Sequence, residues 1–185
     1  MDPHPIRLAA SDDLQRSRLT VFFRWLLVIP HALWLALWGI VVYVAVFVAW
    51  LAALVTGRVP EGLHGFVAAY MRYLTHVNAY LNFVADPFPG FTGEPGYPID
   101  VEIAPAADQN RLVTLFRLLL AIPAWIVAYV LGLVLRVIGF FGWFVCLVLG
   151  RMPEGMQNLG VYCLRYEVQT YGYAMLLTDR YPSFS

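Results

Sequence analysis

Two long apolar runs dominate the chain, and each is followed by a shorter segment in which polar residues are separated by multiples of four positions. The runs cover residues 19–56 and 111–149. The first run holds 38 residues, which as one straight helix would extend about 57 Å against a bilayer hydrocarbon core about 30 Å thick. The pattern therefore predicts either a helical hairpin that crosses a membrane twice, or an interfacial helix that ends near Pro30 and is followed by a single crossing.

We favour the hairpin, formed by about residues 18–56 and again by about residues 111–149, with reversals at Gly39 and Gly132. Aromatic residues cluster around both glycines, and such residues prefer the membrane–water interface. A glycine also permits a tight reversal of the chain. With the turns outside, the arginines at the ends of both runs would gather on one face, which the positive-inside rule makes cytoplasmic together with both termini.

Composition supports a lipid environment. Hydrophobic residues make up 61% of the chain, charged residues make up 13%, and the mean hydropathy is +0.67, whereas a soluble domain averages about 45–50% apolar and about 25% charged residues. All twelve basic residues are arginines, and they form no stripe on a polar face. Nothing in the sequence therefore favours nucleic-acid binding.

The segments that follow the runs, about residues 61–85 and 154–178, each carry a polar stripe. It consists of His64, Arg72, His76 and Tyr80, and in the second segment of Gln157, Arg165, Gln169 and Tyr173. A spacing of four keeps side chains on one slowly drifting helical face, which predicts amphipathic helices lying on the cytoplasmic surface of the membrane. The alternative is a third crossing in which Arg72 and Arg165 face the interior of a helical bundle.

The chain is an internal duplication with an offset of 93 residues. The hexapeptide GRVPEG at residues 57–62 returns as GRMPEG at residues 150–155, and no gap is needed to align the copies. Self-similarity at a fixed offset indicates a repeated structural unit, so residues 1–92 and 93–185 are predicted to be two repeats related by a pseudo-twofold axis roughly along the membrane normal.

Short alternating segments precede each long run. Residues 97–103 read YPIDVEI and residues 4–10 read HPIRLAA at the matching place. Period-two alternation is typical of a strand, so the two segments are predicted to pair as a small β-ribbon that clasps the repeats together.

The hexapeptide has the composition of a joint between two helices. A glycine suits the left-handed residue after a helix, a proline suits the start of the next helix, and a glutamate suits its positive end. These structural positions are Gly57, Pro60 and Glu61, and then Gly150, Pro153 and Glu154. The functional interpretation gives Arg58 and Arg151 a contact with lipid phosphate or with a carboxylate of a partner.

Arg72 and Arg165 are further candidates for a lipid or partner contact, because each recurs by symmetry in an otherwise weakly charged segment. His31, His64 and His76 do not form the i,i+4 pair common in helical metal sites, and their counterparts Ala124, Gln157 and Gln169 complete no duplicated ligand pair. We therefore expect no metal and no cofactor.

The repeats resemble a known family. The first copy contains RLTVFFRWLLVIP, GRVPEG and ADPFPGF, and the second contains RLVTLFRLLLAIP, GRMPEG and TDRYPSF. These motifs resemble family 4389 of the domains of unknown function, a set of bacterial membrane proteins, over nearly the whole chain as two tandem copies. The first copy departs from the pattern at ADPFPGF. The resemblance implies a multi-pass protein of the bacterial cytoplasmic (inner) membrane, and it implies no mechanism because the family has no established activity.

The sequence contains no nucleophile elbow, phosphate loop or HExxH motif, so we do not expect an enzyme. We predict an all-α integral membrane protein that is a non-catalytic accessory or scaffold subunit, packing against other membrane protein subunits and contacting membrane lipids. Two alternatives stay open. One is a membrane-shaping hairpin protein, and the other is a small lipid or solute carrier with a site between the repeats.

Overall fold

The computed structural model describes residues 4–184, which form four helices and two short strands. Each repeat contributes a strand, a helix of 39 residues and a helix of 21 residues. In chain order the elements are β1 (Ile6–Ala10), α1 (Arg18–Thr56), α2 (Glu61–Leu81), β2 (Ile99–Ile103), α3 (Arg111–Leu149) and α4 (Glu154–Ala174). The mostly helical fold and the tandem repeat agree with the prediction.

The predicted hairpins are wrong, because α1 and α3 are each one continuous helix. Neither helix ends near its internal proline, Pro30 or Pro123, so the alternative with a break near Pro30 is also wrong. Gly39 serves close packing and not a turn. A Cβ atom on it would lie 3.1 Å from the hydroxyl oxygen of Tyr70 on α2, which is too close for ordinary contact.

The helices α2 and α4 are core helices, and they do not have the water-facing polar stripe expected of amphipathic surface helices. Their polar stripe faces inward, as the exposed fractions of His76 (2%), Tyr80 (1%) and Gln169 (1%) demonstrate. Both helices also end four residues before the predicted bounds. Phe83 and Leu176 have left-handed backbones with φ of 62° and 66°, so the chain turns away from the helix axis there.

The predicted β-ribbon is present. Strands β1 and β2 pair antiparallel, with Leu8 opposite Val101 at the centre of the register. These two residues are separated by the repeat offset of 93, so the pseudo-twofold axis passes through the middle of the ribbon. The ribbon buries Ile6 and Ile99 completely against the helices below it.

The joint of each repeat is hydrogen-bonded to the other repeat, and we call this arrangement exchanged joints. The amide N–H of Arg16, just before α1, donates to the carbonyl of Gly150 at the end of α3 at 2.9 Å. The equivalent N–H of Gln109, just before α3, donates to the carbonyl of Gly57 at the end of α1 at 2.8 Å. Each hexapeptide therefore holds the segment that leads into the long helix of the other repeat.

The elements form three layers along the pseudo-twofold axis. The ribbon packs on α2 and α4, which contact each other and in turn pack on α1 and α3. The two long helices run antiparallel, since the guanidinium of Arg18 at the start of α1 donates to the carbonyl of Val148 near the end of α3 at 3.0 Å. Trp50 near the end of α1 likewise donates to the carbonyl of Thr114 near the start of α3 at 2.9 Å.

Candidate functional site

The outer surface of the α1–α3 layer is a long, exposed apolar surface. Only a narrow strip of each helix is buried, and on α1 the C-terminal half of this strip is small residues such as Ala45, Ala49 and Ala53. The opposite side exposes large apolar side chains over the whole length, among them Leu19 (70%), Leu37 (61%) and Val55 (74%). We call this surface, the exposed sides of α1 and α3, the apolar face. Both helices are long and apolar enough to cross a membrane.

The opposite side of the molecule is polar. On the ribbon, Arg7 and Glu102 form an ion pair of 2.9 Å whose side chains are 60% and 61% exposed. The exposed residues around the ribbon and joints include Asp13, Glu94 and Asp108. The chain therefore presents one face suited to hydrocarbon and one suited to water.

In each repeat a buried arginine on the long helix anchors the end of that repeat to the helix. Arg24 on α1 is fully buried, donates to the carbonyls of Tyr80 and Ala85 at 2.9 and 3.0 Å, and pairs with Asp86 at 2.6 Å. Arg117 on α3 repeats the arrangement. It donates to the carbonyls of Tyr173 and Thr178 and pairs with Asp179. Both positive charges are therefore paired within the protein, while the Nε atom of each arginine is buried without a hydrogen-bond partner.

The predicted site arginines lie in different surroundings and do not form one cluster. Arg72 points inward, 3.4 Å from Asp100, and donates to the carbonyls of Val101 and Gly93. Arg165 is half-buried on α4. Arg58 and Arg151 are exposed at opposite ends of the antiparallel helix pair.

The predicted helix-joint residues occupy the positions expected of them. Gly57 and Gly150 follow α1 and α3 with φ of 78° and 69°, and each amide N–H bonds back into its helix. Pro60 and Pro153 directly precede α2 and α4. Glu61 and Glu154 lie in the first turn of those helices.

The buried histidines make contacts within the protein. His31 Nδ1 lies 2.7 Å from the hydroxyl of Tyr73, and His64 Nε2 donates to the carbonyl of Leu177 at 3.3 Å. His76 Nε2 lies 3.0 Å from Asp100 Oδ1. Burial lowers the pKa of His76, although the hydrogen bond to Asp100 opposes this. Within residues 4–184, no group of three or more His, Cys, Asp or Glu side chains could hold a metal ion.

A carboxylate lies between α4 and the middle of α3. Burial raises the pKa of Glu167 to about 7, although the positive charge of Arg136 acts in the opposite direction. A Cβ atom on Gly132 would lie 2.5 Å from Glu167 Oε1, so this glycine makes room for the carboxylate. The repeat provided no signal for this contact, because the residue of the first repeat that is equivalent to Glu167 is Leu74.

A groove opens in the apolar face between the two repeats. Its volume is about 570 Å³, and residues from all four helices line it. Phe47 of α1 and Leu118 of α3 border the groove and are 59% and 65% exposed. Tyr171 of α4 contributes to its lining from the layer beneath.

The repeats are also what a family model recognises. The DUF4389 model, described as a domain of unknown function, matches residues 18–92 and again residues 111–185. The chain belongs to the DUF4389 family. Each DUF4389 match begins at the first residue of a long helix, so the family unit comprises the long helix, the joint, the shorter helix and the tail that returns to the buried arginine. Comparison with curated proteins and with solved structures finds no significant match.

The buried arginine pairs were missed by reasoning from the sequence, although a signal for them existed. Arg24 and Arg117 recur at the repeat offset, as do Asp86 and Asp179. An arginine in an apolar helix that is duplicated together with an aspartate indicates an ion pair that both repeats contain.

Proposed function

We propose that this chain is a non-catalytic membrane protein whose apolar face lies in lipid and whose polar ribbon side lies in water, serving as an accessory or scaffold subunit. One observation carries the proposal, namely the continuous apolar face on α1 and α3. Exposed apolar patches on soluble monomers seldom exceed about 300–600 Å². Two 39-residue helices exposing such a face are suited to an environment of lipid or of another membrane protein.

We further propose that α1 and α3 lie along the membrane and do not cross it. Each helix is about 58 Å long, against a hydrocarbon core of about 30 Å. If the antiparallel pair crossed the bilayer, the pseudo-twofold axis would lie in the midplane. The exposed ion pair of Arg7 and Glu102, close to that axis, would then be at hydrocarbon depth, which is strongly unfavourable.

An orientation along the membrane removes this conflict. With the axis along the membrane normal, the ribbon faces water and the long helices occupy one leaflet, since a helix is about 10–12 Å across and a leaflet core is roughly half of 30 Å. Both joints then reach the same interface. Arg58 and Arg151, which are exposed there, are the proposed contacts with lipid phosphate.

Labelling of single cysteines tests the orientation. Arg58→Cys and Arg151→Cys lie at opposite ends of the antiparallel pair, and the native thiols of Cys146 and Cys163 are fully buried. In intact cells and in inverted vesicles, an impermeant maleimide should reach both engineered cysteines from the same side. Reaction from opposite sides would establish a crossing. Release of the protein by alkaline carbonate, without detergent, would overturn the lipid contact itself.

The scaffold role is supported by the pairing of the buried arginines with other groups of the chain within residues 4–184. The largely buried guanidinium groups are engaged by carbonyls and carboxylates of the same chain, as seen at Arg16, Arg24, Arg72 and Arg117. Purification in a mild detergent, with the masses of copurifying proteins measured, tests this role. A stoichiometric larger subunit is the expected result, and a chain that purifies alone from every mild detergent would contradict it.

A second candidate function is membrane shaping, and the in-plane orientation favours it specifically. Two helices of 39 residues inserted in one leaflet expand that leaflet alone, which promotes curvature. Reconstitution into vesicles should then reduce vesicle diameter or produce tubules. Vesicles that keep their size at high protein density would rule out this second function and leave the scaffold proposal standing.

A further inference from the structure

The groove in the apolar face lies on one side of the pseudo-twofold axis. It is bounded by the second half of α1 and the first half of α3, and its floor includes Tyr70 of α2 and Ala174 and Met175 at the end of α4. The other side of the axis is closed by the protein itself. There Asn82 and Phe83 pack so closely on α3 that a Cβ atom on Gly139 would lie 2.8 Å from Asn82 Oδ1.

A difference between the repeats explains the asymmetry. Gly139 on α3 corresponds to Val46 on α1, and Leu81 at the end of α2 corresponds to Ala174 at the end of α4. The glycine allows the closed side to pack tightly, whereas Val46 lines the groove. At the same time the small Ala174 leaves space unfilled. The groove is therefore built by specific residues of the two repeats.

The lining of the groove restricts what can occupy it. The side chains are almost all aliphatic or aromatic, and the polar groups are phenols, such as that of Tyr171, and the guanidinium of Arg117. The Nη atoms of that guanidinium bond to the carbonyls of Tyr173 and Thr178 and to Asp179, so its charge is paired, although its buried Nε has no hydrogen-bond partner. No unpaired charge remains in the lining for a charged headgroup, so the occupant is uncharged where it contacts the groove.

Size and position point to the same occupant. The volume of about 570 Å³ falls within the range of about 300–1,000 Å³ typical of small-molecule sites. Protein interiors leave few voids larger than a water molecule, and an apolar cavity offers water few hydrogen-bond partners. The groove opens onto the apolar face, where Phe47 and Leu118 are exposed.

We propose that the groove binds one acyl chain of a membrane lipid, held between the two repeats with its headgroup outside the groove. This rests on the proposed contact of the apolar face with lipid, and it adds a defined stoichiometry and position to that contact. The chain fills the space that Asn82 and Phe83 close on the other side of the axis. It thereby completes the packing between α1, α3 and α4.

The experiment measures lipid retained by the protein purified in detergent, using native mass spectrometry. The wild type should carry one phospholipid or fatty acid per chain. Ala174→Phe fills the groove and should lower occupancy at least tenfold. Val48→Phe adds similar bulk on the apolar face outside the lining and should keep wild-type occupancy. Ala174→Leu, which copies Leu81 of the first repeat, provides a milder variant if Ala174→Phe does not fold.

A photoreactive fatty acid with a diazirine on its chain gives the position of the site. Crosslinks should concentrate on Phe47, Trp50 and Leu118. Any of three results would overturn the proposal. The wild type could retain no lipid, Ala174→Phe and Ala174→Leu could retain as much lipid as the wild type, or the crosslinks could spread evenly over α1 and α3. Membrane association distinguishes the two proposals. If the chain resists carbonate extraction but retains no lipid, only the groove proposal is overturned. If carbonate releases the chain, the proposed function is overturned as well.

Discussion

The Nη2 atom of Arg24 lies 2.6 Å from Oδ1 of Asp86, which joins the first turns of α1 to the tail that follows α2. The side chain of Arg24 is completely buried, and that of Asp86 is 24% exposed. The same relationship joins Arg117 to Asp179 in the second repeat. Each repeat is thus closed by a charged contact between its long helix and its own end.

Removing the arginine of this contact should be strongly destabilising. Arg24→Met leaves Asp86 without its partner and frees two carbonyls, and breaking a buried ion pair costs about 3–5 kcal/mol. Unfolding in detergent by a denaturant titration measures the change. Arg7→Gln, at the exposed pair with Glu102, is the matched control and should cost less than about 1 kcal/mol. Equal losses in both variants would contradict the anchoring role of Arg24.

The glycines of the joints should be required for their backbone conformation. Gly57 and Gly150 have φ of 78° and 69°, where a side chain costs about 1–2 kcal/mol. Gly57→Ala should lower the free energy of unfolding by that amount. Gly62→Ala is a control five residues away, in a helical turn with no atom within 4 Å of the added Cβ, and it should be neutral or slightly stabilising. A neutral Gly57→Ala would refute the cap.

Glu167 should make the protein less stable at neutral pH than at acidic pH. Its pKa is raised from 4.5 to about 7, so the folded state favours the neutral carboxyl. The stabilising contribution is complete below the unfolded pKa of 4.5 and is lost as the pH rises through about 7.

Thermal unfolding of Glu167→Gln and wild type between about pH 5 and about pH 8 tests this. The stability advantage of the variant should grow as the pH rises. The exposed Glu154→Gln should show no such growth. A constant difference between Glu167→Gln and wild type would contradict a neutral Glu167 in the fold.

The contact of His76 with Asp100 should have the opposite pH dependence. Burial lowers the pKa of His76 below 6.5, so its contribution is complete above the unfolded pKa and is lost as the pH falls through the lower folded pKa. His76→Gln copies Gln169 of the second repeat. We expect this variant to lose less stability than the wild type on acidification from about pH 7 to about pH 5. A greater loss in the variant would contradict the neutral state of His76.

Local signals in the sequence predicted the parts of the fold that depend on few residues. Gly57 followed by Pro60 marks a helix end and a helix start, and the alternation of residues 97–103 marks a strand. Both predictions are confirmed. The prediction of a hairpin was wrong because a glycine in an apolar run is equally compatible with a turn and with a close contact between helices. Only the position of Tyr70 against Gly39 distinguishes the two uses.

The groove lay beyond sequence reasoning for a related physical reason. It depends on Val46 standing where the other repeat has Gly139, and this difference matters only once the neighbours of both positions are known. The inward direction of the polar stripe on α2 was given only as the alternative to a surface helix. A spacing of four shows that His76 and Tyr80 share a face. The same spacing is compatible with a solvent-exposed surface and with a core in which buried carbonyls and carboxylates accept hydrogen bonds.

The exchanged joints mean that the polypeptide between the repeats contributes little to holding them together. A protease cut near Gly90, in the connecting segment, would leave the ribbon and both exchanged hydrogen bonds intact, so the two fragments would migrate as one particle until denatured. By the same reasoning, two separate molecules carrying a single copy each could assemble this architecture as a homodimer. The duplicated gene product is in effect a dimer whose subunits have been fused, and the fusion freed each half to diverge.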